Sequence, residues 1–372
     1  MLTLAEVSEV VSGLIDPWVF LAHAFYYLPG TVLRLLRAAD FATLASPSRL
    51  RDAWFSAFWG WAGPNIREGN SDRVVALLEG RVARGDVVVG VGVGVGDPVH
   101  PPVGSVVLEI GPGSGLWVDL FSKRGEKPDA SRSVGGGSGS SSSGSSSSGG
   151  SSSGGSSSGG SSSGGSSSSG SGSSGGVRRR VAEGVTKVYG VEPNTEVHPA
   201  LKKRVHDAGL EGTYEIVPVG IESLSDPTAW GGKIDKGSVD CIVSVLCLCS
   251  IPEPERNIRE LYSYLKKGGR WYLYEHVKAT GSWPIRLYQR RRTLTQVHPK
   301  RGASGSHNYQ LLTPAAGVVN LVWPRALNGC QLCRNTEKTL RSAGPWHDID
   351  VVQPPSEPWF QVVPHIFGTL TK

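Results

Sequence analysis

The residues of this 372-residue chain that are spaced for chemistry gather around a glycine bend, GPGSG at residues 111–115. Glycine lets backbone approach a ligand closely, so Gly111, Gly113 and Gly115 read as one wall of a binding site. Glu109 stands two residues before the first of them. Glu192 and Asn194 close a later apolar run, VYGVEPN, where a carboxylate can accept both hydroxyls of a ribose. Ile221 and Glu222 follow Gly220 after a third run, where an adenine ring would lie. Leu246 and Cys247 end a fourth run, beside the reacting end of such a cofactor, and would suit a small apolar acceptor. Glu275 and His276 end a fifth. Histidine titrates near neutral pH, which makes His276 the candidate general base and Glu275 its orienting partner or a substrate contact.

Two kinds of cofactor use a loop of this sort. A dinucleotide site prefers G-x-G-x-x-G, with its pyrophosphate at a helix N-terminus. The bend here is shorter and tighter and has an acid nearby for an ammonium group, a spacing that favours S-adenosylmethionine over a nicotinamide cofactor. Methyl transfer from a sulfonium is an in-line displacement in which the protein supplies alignment and excludes water. A thiol acceptor reacts as thiolate, which is scarce at pH 7 when the thiol pKa is near ~8.5, so a base or a positive field helps.

These residues need strands to carry them. SVVLEI (105–110) is nearly all apolar, as a parallel strand buried on both faces should be, and a helix is expected from Leu116. TKVYGVEPN (186–194), TYEIVPVG (213–220), SVDCIVSVLCLCSI (238–251) and RWYLYEHV (270–277) read as further strands. Helices are expected through Leu201 and Val205, over 253–267, and from a cap at Ser71. DVVVGVGVGVGDPVHPP (86–102) reads as a loop, because glycine at alternate positions weakens strand pairing. DIDVVQ (348–353) and QVVPHIFGTLTK (361–372) look like a closing antiparallel pair. Alternating strands and helices predict an α/β fold, a doubly wound and mostly parallel sheet.

With these pieces in place the chain resembles the class I S-adenosylmethionine-dependent methyltransferases. More narrowly it resembles the membrane-associated methyltransferase-like protein 7 family of thiol S-methyltransferases. The matching segments are VVLEIGPGSG, VYGVEPN, GSVDCIVSVLCLCSI, LKKGGRWYLYEHV, NGC at 328–330 and PHIFG at 364–368. The resemblance implies a Rossmann-like fold with an antiparallel C-terminal strand, S-adenosyl-L-methionine as cofactor, and methylation of a small-molecule acceptor. By it Gly111, Gly113 and Gly115 would wrap the methionine part of the cofactor and Glu192 its ribose. The family usually has Asp where Glu192 stands and Cys-Gly where Pro112-Gly113 stands. Proline removes one backbone donor from the bend. The resemblance also implies the cytosolic face of the endoplasmic reticulum or a lipid droplet, against a cytoplasmic alternative.

The N-terminal part reads as a unit of its own, residues 1–65, before a catalytic domain over 66–372. No secretory signal is expected, since the first charges, Glu6 and Glu9, are acidic. Residues 17–33 carry no formal charge but are interrupted by Pro29-Gly30, and Trp18, Phe20, Phe25, Tyr26 and Tyr27 suit a water–lipid boundary. With the following arginines, residues 17–61 read as a one-sided membrane anchor or hairpin, or else as a helical lid over the main domain. The domain is interrupted by a Gly/Ser insertion at 135–176, expected to be disordered, and by a basic insertion at about 284–318. A net charge of +6 does not by itself call for nucleic acid, and the arginine runs at 178–180 and 290–292 lack a binding motif. Five cysteines are too few, and odd in number, for a disulfide scaffold. Cys330-Gln-Leu-Cys333 lacks the second pair a zinc site needs, and Cys247 and Cys249 read as packed thiols, so no metal is expected. A monomer is expected. The competing reading is a cofactor-binding or lipid-surface protein without catalysis, or a methyltransferase acting on oxygen or nitrogen.

Overall fold

A computed structural model of the chain describes residues 3–87, 98–122, 184–280, 283–289 and 318–372. Seven strands form the central sheet: β1 (Ser105–Ile110), β2 (Val185–Val191), β3 (Tyr214–Val217), β4 (Val239–Val245), β5 (Leu265–His276), β6 (Asp348–Val352) and β7 (His365–Thr371). Their order across the sheet is β3-β2-β1-β4-β5-β7-β6. The first five are parallel, and β7 runs antiparallel to both β5 and β6. The chain order reverses between β1 and β4, the place where open α/β sheets bind ligands beyond their carboxyl ends.

Side chains alternate along each strand, and both faces are covered. Val107, Val243, Tyr272 and Tyr274 pack on one face beneath Leu201 and Val205 of α4 (His198–Asp207) and Val74, Leu77 and Leu78 of α3 (Pro47–Leu78). Leu108, Ile110, Ile242, Trp271 and Leu273 pack on the other against Ile258, Leu261 and Tyr264 of α6 (Pro254–Tyr264) and Leu340 of α9 (Thr336–Arg341). Each such fully buried aliphatic side chain contributes roughly 1.5–3 kcal/mol. Asp240 clamps the start of the sheet, accepting from Val106 N (3.1 Å) and from Lys266 Nζ (2.8 and 2.9 Å).

The N-terminal segment is helical throughout. α1 (Leu4–Arg37) opens on a capping box in which Thr3 and Glu6 satisfy each other's backbone. It is not broken at Pro29-Gly30: both Pro17 and Pro29 lie inside it. The packing of Leu21 and Ala24 against Trp54, Phe58 and Ala62 of α3 and Val319 and Trp323 of α8 (Val318–Ala326) overrides the local break. After the short α2 (Phe41–Ala45), Ser46 caps α3 with Pro47 at its first position, and α3 then runs unbroken to Leu78. Ser71 is therefore an interior residue and not a cap, and the expected division at residue 65 falls within one helix. The remaining helices are α5 (Pro227–Trp230) and α7 (Trp283–Gln289).

Other elements also differ from expectation. After the glycine bend the described residues form only a 3₁₀ turn, Val118–Phe121, instead of a helix from Leu116. α6 stops at Tyr264, because Leu265 already pairs with Val239 as β5 begins. β4 ends at Val245, and Leu246 turns away with φ +56°, so Leu246–Ile251 is a turn and not strand. Asp86–Val87 pairs with Val82–Ala83 in a two-residue ribbon. The glycine-valine run beyond it, the Gly/Ser insertion, both arginine runs and residues 290–317 of the basic insertion lie outside the described residues.

Candidate active site

The bend after β1 is held from three sides. Gly111 takes φ +65° and donates to Val191 O (3.0 Å), which ties the bend to the end of β2. A Cβ on Gly111 would lie 2.6 Å from the Cβ of Cys247, so only glycine lets the bend meet the turn after β4. Pro112 O accepts from Gly115 N (2.8 Å), and Gly113 N donates to Glu192 Oε2 (2.9 Å). The other oxygen of Glu192 accepts from Asn194 N (2.9 Å). Burial pushes the Glu192 carboxyl up to about 7, against the pull of those two backbone donors. Each oxygen keeps a further acceptor position, enough for a diol. Asn194 Oδ1 caps the turn that follows by accepting from Glu196 N, and its buried Nδ2 has no partner among the described residues.

Glu109 lies directly across from Gly190 in the β1–β2 register. Tyr214 of β3 reaches over Gly190, where any side chain would collide with its ring, and its hydroxyl donates to Glu109 Oε2 (2.5 Å). Burial pushes the Glu109 carboxyl up to about 7, the Tyr214 hydrogen bond lowers it, and nearby Glu192 raises it further. Ile221 is buried in the core at the end of β3, while Glu222 beside it is exposed in a 3₁₀ turn. Glu192 N donates to Val217 O (3.0 Å), which sets the ends of β2 and β3 side by side.

At the end of β5, Glu275 is wholly buried and binds the turn after β4, accepting from Cys247 N (3.3 Å), Leu248 N (3.1 Å) and Cys247 Sγ (3.4 Å). Burial pushes its carboxyl up to about 7. Cys247 feels Glu275, Glu192 and Glu109 together, and burial with these acids drives its thiol well above the ordinary range. The structure thus brings the carboxyls of β1, β2 and β5 around one turn. Neighbouring side chains on a strand point to opposite faces, and the expected contact between Glu275 and His276 is not made. His276 Nε2 instead meets Cys330 Sγ at 3.1 Å. Burial, with His365 and Arg334 nearby, pushes the His276 ring down to about 3, so it is neutral at pH 7 and weakly basic.

Helix α3 covers the bend. Trp59 Nε1 lies 3.6 Å from the place of a Cβ on Gly113, and Gly63 lies against Leu116. Arg67 pairs with both oxygens of Asp119 (2.6 Å each) and donates to Leu116 O. Ser56 Oγ donates to Glu196 O (3.3 Å). Trp59, Arg67 and Tyr214 border the candidate site and were not expected there from the sequence. The first two sit in or beside a stretch whose aromatic content signals lipid as readily as a lid. The signal for Tyr214 was the glycine opposite Glu109, visible only once the register is known.

A mostly parallel sheet in this order with an antiparallel β7, a glycine bend after β1 and a buried acid after β2 is the arrangement of the class I methyltransferases, whose cofactor is S-adenosylmethionine. A family model described as a methyltransferase domain matches residues 96–330, well over half of the chain, and the chain belongs to that family. It is 30% identical to human (Homo sapiens) thiol S-methyltransferase TMT1B over 142 residues, 38% of this chain and 46% of that protein. It is 31% identical to human thiol S-methyltransferase TMT1A over 141 residues, again 38% and 46%. The rat (Rattus norvegicus) TMT1B is 28% identical over 50% of this chain and 62% of its own length. The chain thus spans about half the length of the curated relatives it matches. Among solved structures, an S-adenosylmethionine-dependent methyltransferase from Mesorhizobium loti is similar at 14% identity and a TM-score of 0.37, over 73% of this chain and 94% of that one.

Proposed function

We propose that this chain moves the methyl group of S-adenosylmethionine onto the sulfur of a small apolar thiol. The observation that carries the donor half is the Glu192 carboxylate, buried, fixed by Gly113 N and Asn194 N, and left with acceptor capacity for two hydroxyls. Two buried acids, Glu109 and Glu192, raise each other's energy when ionised, and a cationic ligand would relieve them. The residues present therefore fit the cofactor, which supplies a reactive methyl on a positively charged sulfur. Gly111, Gly113 and Gly115 would border its methionine end, with Ile221 and Glu222 at its adenine end.

The chain's own work is placement. Glu275 fixes Cys247 and Leu248, and in this reading Leu246 and Cys247 would form an apolar end wall. Trp59 covers the bend and helps exclude water. His276, neutral and bonded to Cys330 Sγ, is not poised to carry the proton of an incoming sulfur away. The thiol half rests on the names of the relatives and on the resemblance of the LCS, EHV and NGC segments to the family described above. Membrane association is part of the same proposal, because α1 turns Val7, Val11, Ile15, Trp18 and Val19 outward while its inner face packs on α3 and α8. Its Glu6–Arg37 stretch is long and apolar enough to cross a bilayer.

The test is incubation of purified protein with methyl-labelled cofactor and a panel of alkyl thiols, phenols and amines. Label on thiols is the expected result. Label confined to oxygen or nitrogen acceptors overturns the thiol assignment, and cofactor binding without turnover on any acceptor overturns catalysis.

A further inference from the structure

Three segments far apart in sequence bring two sulfurs and an imidazole together. Cys249 follows β4, His276 ends β5, and Cys330 lies in the turn after α8. The donor atoms of the three all lie within 4.8 Å of one another. The arrangement is built by the backbone and not by chance contact of mobile side chains. Gln331 N donates to Cys249 O (3.1 Å), which seats one turn directly on the other. Asn328 and Gly329 both take positive φ, +45° and +86°, to make that seat. Cys330 N donates to Leu327 O (2.9 Å), and Trp323 Nε1 donates to Cys330 Sγ (3.2 Å). Cys249 and His276 are 3% and 4% exposed, while Cys330 is only partly buried, so the group is reached by solvent from the Cys330 side alone.

The imidazole is poorly satisfied as it stands. Its Nε2 has only a sulfur for a partner, and its Nδ1 is buried with none among the described residues. Arg334 donates to Leu248 O and Ile251 O (2.7 Å each) and stands close enough to Cys249 and Cys330 to act on them electrostatically. It would balance the negative charge of ionised thiols.

We propose that Cys249, His276 and Cys330 form a three-ligand site for a thiophilic divalent cation of the zinc type. A tetrahedral ion with bonds of about 2.3 Å to sulfur and about 2.0 Å to nitrogen holds such donors about 3.6 Å apart, a small adjustment from the present spacing. Two sulfurs and one imidazole are a donor set that selects zinc over hard cations such as magnesium. Binding releases the two thiol protons to solvent, and the fourth position is left for water or an exogenous donor. Cys333, despite its C-x-x-C spacing from Cys330, is not a member; its sulfur accepts from Asn320 Nδ2 (2.9 Å).

The site goes beyond the methyl-transfer reading and is tested without donor or acceptor. The full chain, stripped of metal, is titrated with Co²⁺ alone and followed by absorption. The expected result is thiolate-to-cobalt charge transfer in the near ultraviolet with tetrahedral ligand-field bands, saturating at one ion per chain. Cys249→Ser and Cys330→Ser should each weaken binding at least tenfold, and Cys333→Ser should leave it unchanged. Should the serine variants fail to fold, the melting temperature of the unsubstituted chain still reports, rising with Zn²⁺ and not with Mg²⁺. No charge-transfer band at stoichiometric cobalt overturns the site. So does a band lost equally in Cys333→Ser, which would place the ion on the C-x-x-C pair.

Discussion

Glu192 meets Gly113 and Asn194 through one oxygen each, so the residue that would hold the ribose also fixes the bend that borders the donor. Glu192→Gln removes the charge and one acceptor. Hydrogen bonds to a charged group are worth ~1.5–3 kcal/mol, so the donor's dissociation constant should rise roughly 10- to 100-fold by calorimetry. An unchanged constant would remove Glu192 from the site. A second prediction concerns pH. Glu109, Glu192 and Glu275 are each raised from 4.5 to about 7, so the folded state holds protons that the unfolded chain has released. That contribution to stability is fully present below 4.5 and lost as pH rises through about 7. His276, lowered from 6.5 to about 3, acts in the opposite sense, but mainly below 6.5. Between pH 6.5 and 8 the melting temperature should therefore fall, and saturating donor should flatten the fall by neutralising Glu109 and Glu192. At this scale much of the candidate site was legible. Glu109, the glycines and Glu192 follow apolar runs that end at a sheet's carboxyl edge, and local sequence suffices to place them. The partners of Glu275 and His276 were not legible, because Cys247, Cys249 and Cys330 reach them across turns whose geometry depends on Leu246 and Gly329 taking positive φ.

At the scale of elements, the strands were easier to read than the helices. β1, β2, β4 and β5 are buried on both faces, and a continuous apolar run between turn residues has few other places to go. α3 was not legible as one piece. It contains Pro64, several glycines and a serine that resembles a cap, and its two ends pack into separate cores, with α1 and α8 at one end and the sheet at the other. The joint between α1 and α3 can be probed at Trp54, whose buried Nε1 donates to Ala24 O (2.6 Å). Trp54→Phe removes the donor and shrinks the indole to a phenyl ring. It should cost about 1–3 kcal/mol and lower the melting temperature by roughly 2–10 °C.

At the scale of the whole molecule, the outer side of α1 carries a row of exposed apolar side chains. Val11, Trp18, Val19, Leu33, Leu36 and, just beyond, Phe41 are all exposed. Soluble surfaces rarely present so continuous a row of large apolar groups. The double substitution Val11→Glu with Trp18→Glu should cut the fraction that co-sediments with anionic lipid vesicles by half or more, with the thermal melt unaltered. α3 carries Trp54 beneath α1 and Trp59 above the glycine bend, about five residues apart on one helix. Any surface that α1 rests on is thereby in mechanical series with the roof of the donor pocket. If seating α1 shifts that roof, vesicles change affinity for the donor by some factor, and reciprocity requires the donor to change affinity for vesicles by the same one.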